Sequence, residues 1–99
     1  MIKKDNKTID FLLTSNDEKF QLLKAAEEFS ELTTALLQYV NKGGRITTKK
    51  HVIEEIGDCY IRLKILESVF DKKLIKKRIN YKLSKFDEYI KDGKLVGSI

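Results

Sequence analysis

From residue 18 onward an apolar side chain returns every three or four positions, with charged and polar residues between. The first run is Leu22, Ala25, Phe29, Leu32, Leu36 and Val40. Steps of three and four put these residues on one face of a helix. The run predicts a helix of about seven turns at 3.6 residues per turn, ending at Lys42. Ser15 and Glu18 have the spacing of a capping box at its start, and Gly43-Gly44 supplies the left-handed backbone that stops it. Residues 45–50 form a polar loop in which Thr47 or Thr48 caps the next helix. A second stripe follows at Val52, Ile56, Cys59, Leu63, Leu66 and Phe70. Asp71 then caps a third helix with the stripe Ile75, Ile79, Leu83, Phe86 and Ile90, which ends at Asp92-Gly93. Residues 1–14 are weakly patterned, and Ile9, Phe11, Leu12 and Leu13 there read as a short helix or an ordered arm. The expected fold is all-α, with three long helices plus a short N-terminal segment. It forms a single domain over 1–99 whose core spans about 17–93, with 94–99 as a loose tail.

Composition narrows this picture. A chain of 99 residues holds one domain and buries only about 60–70% of its unfolded surface, so the bundle is expected to be completed by oligomerisation. Apolar residues at 41% and charged residues at 35% make it globular. The absence of proline favours long helices over a turn-rich β-sandwich. A single cysteine, Cys59, excludes an internal disulfide. No purely apolar run exceeds three residues, so no membrane span is expected. Met1-Ile2-Lys3-Lys4 leads into no apolar stretch of signal-peptide length, and a cytoplasmic location is the expectation.

Charge is unevenly placed. Residues 1–70 hold 11 Lys/Arg and 11 Asp/Glu, whereas residues 71–99 hold nine against four. A basic last third fits nucleic acid or a phosphate-bearing small ligand. The acidic residues decide between them.

On the second long helix, at about 100° per residue, Val52, Ile56, Cys59, Leu63 and Phe70 point one way and Ile61 and Ile65 nearly the opposite way. A helix apolar on most sides is buried between neighbours, yet Glu55 and Asp58 fall inside that arc. A buried carboxylate without a partner costs several kcal/mol, so a cation is expected beside them. The preceding helix carries Glu28 and Glu31, also three apart on one face, next to Lys24 and to Ala35, which is small enough to admit another helix closely. Packed antiparallel across Gly43-Gly44, the two helices bring the acidic pairs face to face. Four converging carboxylates repel, and a hard divalent cation relieves them. An oxygen-only set suits Mg²⁺, with Mn²⁺ as the variant, and argues against zinc.

Glu28-Phe29-Ser30-Glu31, a gap of 23 residues, and Glu55-Ile56-Gly57-Asp58 resemble the ExxE…ExxD signature of MazG-like nucleotide pyrophosphohydrolases. Gln21 to Glu28 leads into the first pair, Glu54 to Tyr60 surrounds the second, and the resemblance covers about Phe20 to Gly93. It implies an all-α nucleoside-triphosphate pyrophosphohydrolase that cuts between the α- and β-phosphates, giving a nucleoside monophosphate and pyrophosphate. It makes Glu28, Glu31, Glu55 and Asp58 the Mg²⁺ ligands and offers Glu27 as the residue that positions water. It turns Lys24, Arg78, Lys82 and Lys85 toward the triphosphate, although relatives carry arginine where this chain has Lys85. It leaves Phe11, Leu12 and Gln21 as candidates for contacting the base.

Each residue also has a plainer reading. Glu28 and Glu31 alone form a solvated helix face; the second pair, set in an apolar arc, shifts the balance to ligands. Arg62 pairs with Asp58 or stands beside the site. Arg78, Lys82 and Lys85 form a plain basic face or a phosphate row. Cys59 is an inert core thiol, and His51, among lysines at a helix start, is exposed. Tyr60, Ile61 and Ile65 off the main stripe mark a second packing surface, which fits a homodimer or a dimer of dimers. The alternative function is a non-catalytic basic helical module that binds nucleic acid or a protein partner. It leaves Glu55 and Asp58 unexplained, and the sequence does not read as the aromatic–basic interleaving typical of nucleic-acid binders.

Overall fold

The computed structural model describes residues 3–93, with side chains from Lys7 onward. Four helices run in order: α1 (Lys3–Ser15), α2 (Glu18–Asn41), α3 (Ile46–Val69) and α4 (Lys72–Lys91). No strand occurs among the described residues, and no helix there is long and apolar enough to cross a membrane. The chain divides into two units, residues 1–69 with α1 to α3 and residues 70–99 with α4. The tail expected at 94–99 lies outside the described residues.

The weakly patterned N-terminal stretch is a full helix, α1, anchored by Ile9, which is buried. Its junction with α2 differs from the expected capping box. The Ser15 hydroxyl donates back to the Phe11 carbonyl at 2.6 Å and so closes α1. Asp17, in extended backbone, caps α2 instead, its carboxylate accepting from Phe20 N at 2.8 Å. A carboxylate suits that position because it meets both an unpaired N–H and the positive end of the helix dipole.

Gly43 and Gly44, both at φ 72°, end α2 as the sequence predicts. At Gly44 a Cβ would stand 3.3 Å from the Tyr39 hydroxyl oxygen, so the position favours glycine for space as well as for backbone. α3 begins at Ile46, before either threonine expected to cap it. Thr48 sits inside the first turn and donates to the Arg45 carbonyl at 2.8 Å, the carbonyl that also accepts from Lys49 N.

α2 and α3 pack as an antiparallel pair, and the face they share is only in part the one the apolar stripes mark. On α2 the row Gln21, Ala25, Glu28, Leu32, Ala35 and Tyr39 is covered, and on α3 the row Thr48, Val52, Glu55, Cys59, Arg62, Leu66 and Val69. Both rows advance in alternating steps of four and three, the period of a two-helix seam. Ile65, expected on a second packing surface, lies beside the α3 row as the most buried side chain among the described residues, 0% exposed. Ala25 and Ala35, almost fully buried, let the backbones approach closely. The expected stripes meet the seam in part: Ala25, Leu32, Val52, Cys59 and Leu66 lie in it, whereas Leu36 and Ile56 stand about half exposed and Val40 is 72% exposed. Small and polar residues permit a tight pair, and the exposed bulky apolar side chains flank it. α1 lies against α3.

In the second unit, the Asp71 carboxylate caps α4 as expected, accepting from Lys73 N at 2.9 Å and Leu74 N at 3.3 Å. The helix ends at Asp92, before Gly93 at φ 73°. No residue of α4 is buried. Its stripe of Ile75, Ile79, Leu83, Phe86 and Ile90 is half-buried to exposed rather than core.

Candidate metal centre

Seam geometry brings the acidic residues together. Glu28 and Glu55 occupy seam positions on facing helices, and Glu31 lies one turn beyond Glu28. Oxygens from Glu28, Glu31 and Glu55 all lie within 4.8 Å of one another. Glu55 is only 8% exposed, Glu28 is half-buried and Glu31 is exposed. Oε2 of Glu28 and Oε2 of Glu55 are both buried with no hydrogen-bond partner. Such atoms are rare in folded proteins because each forfeits its hydration without replacement.

Asp58, the fourth expected ligand, is exposed and stands outside this close trio. It remains within electrostatic reach of Glu28. The Glu28 carboxyl is held above its ordinary range chiefly by burial, then by the charges of Glu31 and Asp58, with Lys24 and Arg62 pulling the other way. Lys24 Nζ lies 3.9 Å from Glu28 Oε1 and 3.5 Å from Glu27 Oε1, so Glu27 faces the lysine from an exposed position. Cys59 is buried, and its thiol donates to the Glu28 main-chain carbonyl at 3.4 Å. Burial, and then the surrounding carboxylates, push its pKa up, as suits an inert thiol.

Arg62 does not turn to Asp58. Its Nη1 donates to Gln21 Oε1 at 3.4 Å, and Gln21 Nε2 donates to the Leu12 carbonyl at 2.7 Å. Gln21, expected as a base contact, is 1% exposed and its amide is committed at both ends, tying α1, α2 and α3 together. Leu12 is half-buried and Phe11 is 68% exposed.

Beside the carboxylates runs a cleft of about 350 Å³ lined by Ser30, Glu31, Thr34, Gln38, His51 and Glu55. His51 Nε2 is 3.9 Å from Glu55 Oε1. His51 is exposed, as expected; what the sequence reading did not note is its place four residues before Glu55, which sets both on one helix face. A larger hollow of about 520 Å³ lies at Tyr60, Leu63, Lys64 and Glu67, where the two charged residues pair with each other at 3.4 Å.

On α4, Arg78, Lys82 and Lys85 do form one row, and it is interleaved with aromatics after all. Arg78 lies 5.0 Å and Lys85 5.7 Å from the Tyr81 ring centre, and Lys82 lies 5.5 Å from that of Phe86. Positions three and four apart on a helix produce this overlap, which a reading by residue type alone did not register.

Oxygen donors from two helices, two of them with a buried orphaned oxygen, fit a hard divalent cation. Compared with known protein families, curated proteins and solved structures, the chain matches none.

Proposed function

We propose that the chain is a divalent-cation-dependent nucleoside-triphosphate pyrophosphohydrolase, a MazG-like enzyme. The observation that carries this reading is the trio Glu28, Glu31 and Glu55, which converges from two helices, with Oε2 of Glu28 and Oε2 of Glu55 buried and without a hydrogen-bond partner. An oxygen-only set admits Mg²⁺ or Mn²⁺. Glu28, Glu31 and Glu55 hold the ion, and Asp58 adds negative charge beside Glu28. A bound divalent cation neutralises phosphate charge and makes water more acidic. Water adds across the anhydride between the α- and β-phosphates; one P–O bond breaks, and the products are a nucleoside monophosphate, pyrophosphate and a proton. Glu27 is a carboxylate outside the ligand trio that can accept that proton. Lys24, beside Glu28, supplies a counter-charge for phosphate.

The proposal includes a homodimer or a dimer of dimers in the cytoplasm. It is supported by the apolar side chains flanking the α2–α3 seam, each of which gains about 1.5–3 kcal/mol on full burial. A second reading, nucleic-acid binding through α4, is favoured by the basic–aromatic row of that helix.

Incubating the protein with ribo- and deoxynucleoside triphosphates and Mg²⁺ or Mn²⁺, and scoring pyrophosphate against orthophosphate, separates the readings. Pyrophosphate release that disappears in Glu55→Gln is the expected result. Absence of turnover on every triphosphate, with salt-dependent binding to random-sequence DNA, supports the second reading instead.

A further inference from the structure

We propose that His51 is a nitrogen donor to the same cation, and that it turns the site's preference from Mg²⁺ toward a first-row transition ion such as Mn²⁺ or Co²⁺. This rests on the reading of Glu28, Glu31 and Glu55 as a cation site, and it specifies which ion that site selects.

Placement is the first argument. His51 stands one helical turn before Glu55, with Nε2 3.9 Å from Glu55 Oε1. Two donors on one small divalent ion, each at about 2.0–2.2 Å, are separated by roughly 3–4 Å depending on the angle between them. The observed distance falls in that span and is too long for a hydrogen bond. His51, Glu31 and Glu55 also line one cleft, so the imidazole and two of the three carboxylates face the same space.

The second argument is the incompleteness of Glu55. Glu55 is 8% exposed and its Oε2 is buried without a partner. His51 faces the other oxygen, Oε1, beyond hydrogen-bond range, so the pair leaves Oε2 unmet. A cation held by Glu55 and His51 together supplies the positive charge that the buried carboxylate lacks.

The third argument is ligand chemistry. Mg²⁺ prefers oxygen and keeps several waters, whereas imidazole binds the later first-row ions well and carries selectivity among them. Three carboxylates alone do not discriminate Mg²⁺ from Mn²⁺ by donor type. An added imidazole does.

The chain contains one histidine, which makes the test direct. Titrating the intact protein with Co²⁺ and following its imidazole protons by NMR should move those signals far outside the diamagnetic range, with no need for a variant. By calorimetry, His51→Ala should lower Mn²⁺ affinity by at least about tenfold and leave Mg²⁺ affinity nearly unchanged, with circular dichroism confirming the helical fold. Imidazole signals that stay diamagnetic, or Mn²⁺ and Mg²⁺ affinities that keep their ratio in His51→Ala, overturn the proposal. If both ions still bind and Glu55→Gln still abolishes binding, the carboxylate site survives that failure. If neither ion binds the native chain, site and proposal fall together.

Discussion

Two polar clusters interrupt the same α2–α3 seam, and the chain completes only one of them. At Gln21 the carboxamide is closed on both sides, by the Leu12 carbonyl and by Arg62. At Glu28 and Glu55, farther along the seam, two carboxylate oxygens are buried with nothing to meet them. Burial of a polar group is therefore not in itself a sign of function here, since Gln21 is the more deeply buried of the three. Incompleteness is the sign. A buried polar group left unpaired costs about 1–3 kcal/mol, more when charged, and such a cost in a seam this short points to a ligand that repays it.

Adding a divalent cation should act on one cluster and leave the other untouched. At a free concentration about 100 times its dissociation constant, an ion that binds only the folded chain stabilises it by about 2.7 kcal/mol. Urea unfolding with and without Mn²⁺ should show that increment in the native chain and in Gln21→Ala, and none in Glu55→Gln. An increment lost equally in both variants would mean that the clusters do not differ in kind.

Without any cation the same two substitutions should move stability in opposite directions. Gln21→Ala strands the Leu12 carbonyl and the Arg62 guanidinium and opens a small cavity, a loss of roughly 2 kcal/mol. Glu55→Gln removes a charge from a buried carboxylate cluster and should raise stability by on the order of 1 kcal/mol. Unfolding midpoints of the two proteins in chelator-treated buffer measure both. A destabilised Glu55→Gln would show that Glu55 is already paired in the free chain.

This contrast was half legible in the sequence. The all-α pattern, the stop at Gly43-Gly44 and the cap at Asp71 followed from spacing and backbone chemistry, because those signals are local. The acidic pairs were legible because charges inside an apolar arc conflict with burial. Ala25 in the stripe and Ala35 as a point of close approach were legible too; what spacing did not reveal was that Leu36 and Val40, at the far end of the same stripe, stay outside the seam. Nor did it reveal that Gln21 is a clasp and not a surface contact, or that Asp58 stands outside the close trio. His51, among lysines at a solvated helix start, is exposed as expected; the residue types around it did not draw attention to Glu55, one turn ahead.

Glu28 provides the finest distinction, through the sign of a pH dependence. Its carboxyl is raised above the ordinary glutamate value of 4.5, first by burial and then by Glu31 and Asp58. As pH climbs past 4.5, the unfolded chain gives up this proton while the folded chain still holds it. The folded state then binds more protons, so the contribution of Glu28 to stability falls with rising pH until the folded carboxyl ionises too. A carboxylate completed by protein partners behaves in the opposite way, its lowered pKa adding stability above the unfolded value. Stability of the native chain, measured in chelator from pH 4 upward, should decline relative to Glu28→Gln, and saturating Mn²⁺ should reverse the difference. A native chain that instead gains on Glu28→Gln as pH rises would place Glu28 with Gln21, among groups the fold completes unaided, and would remove the need for a cation at that oxygen.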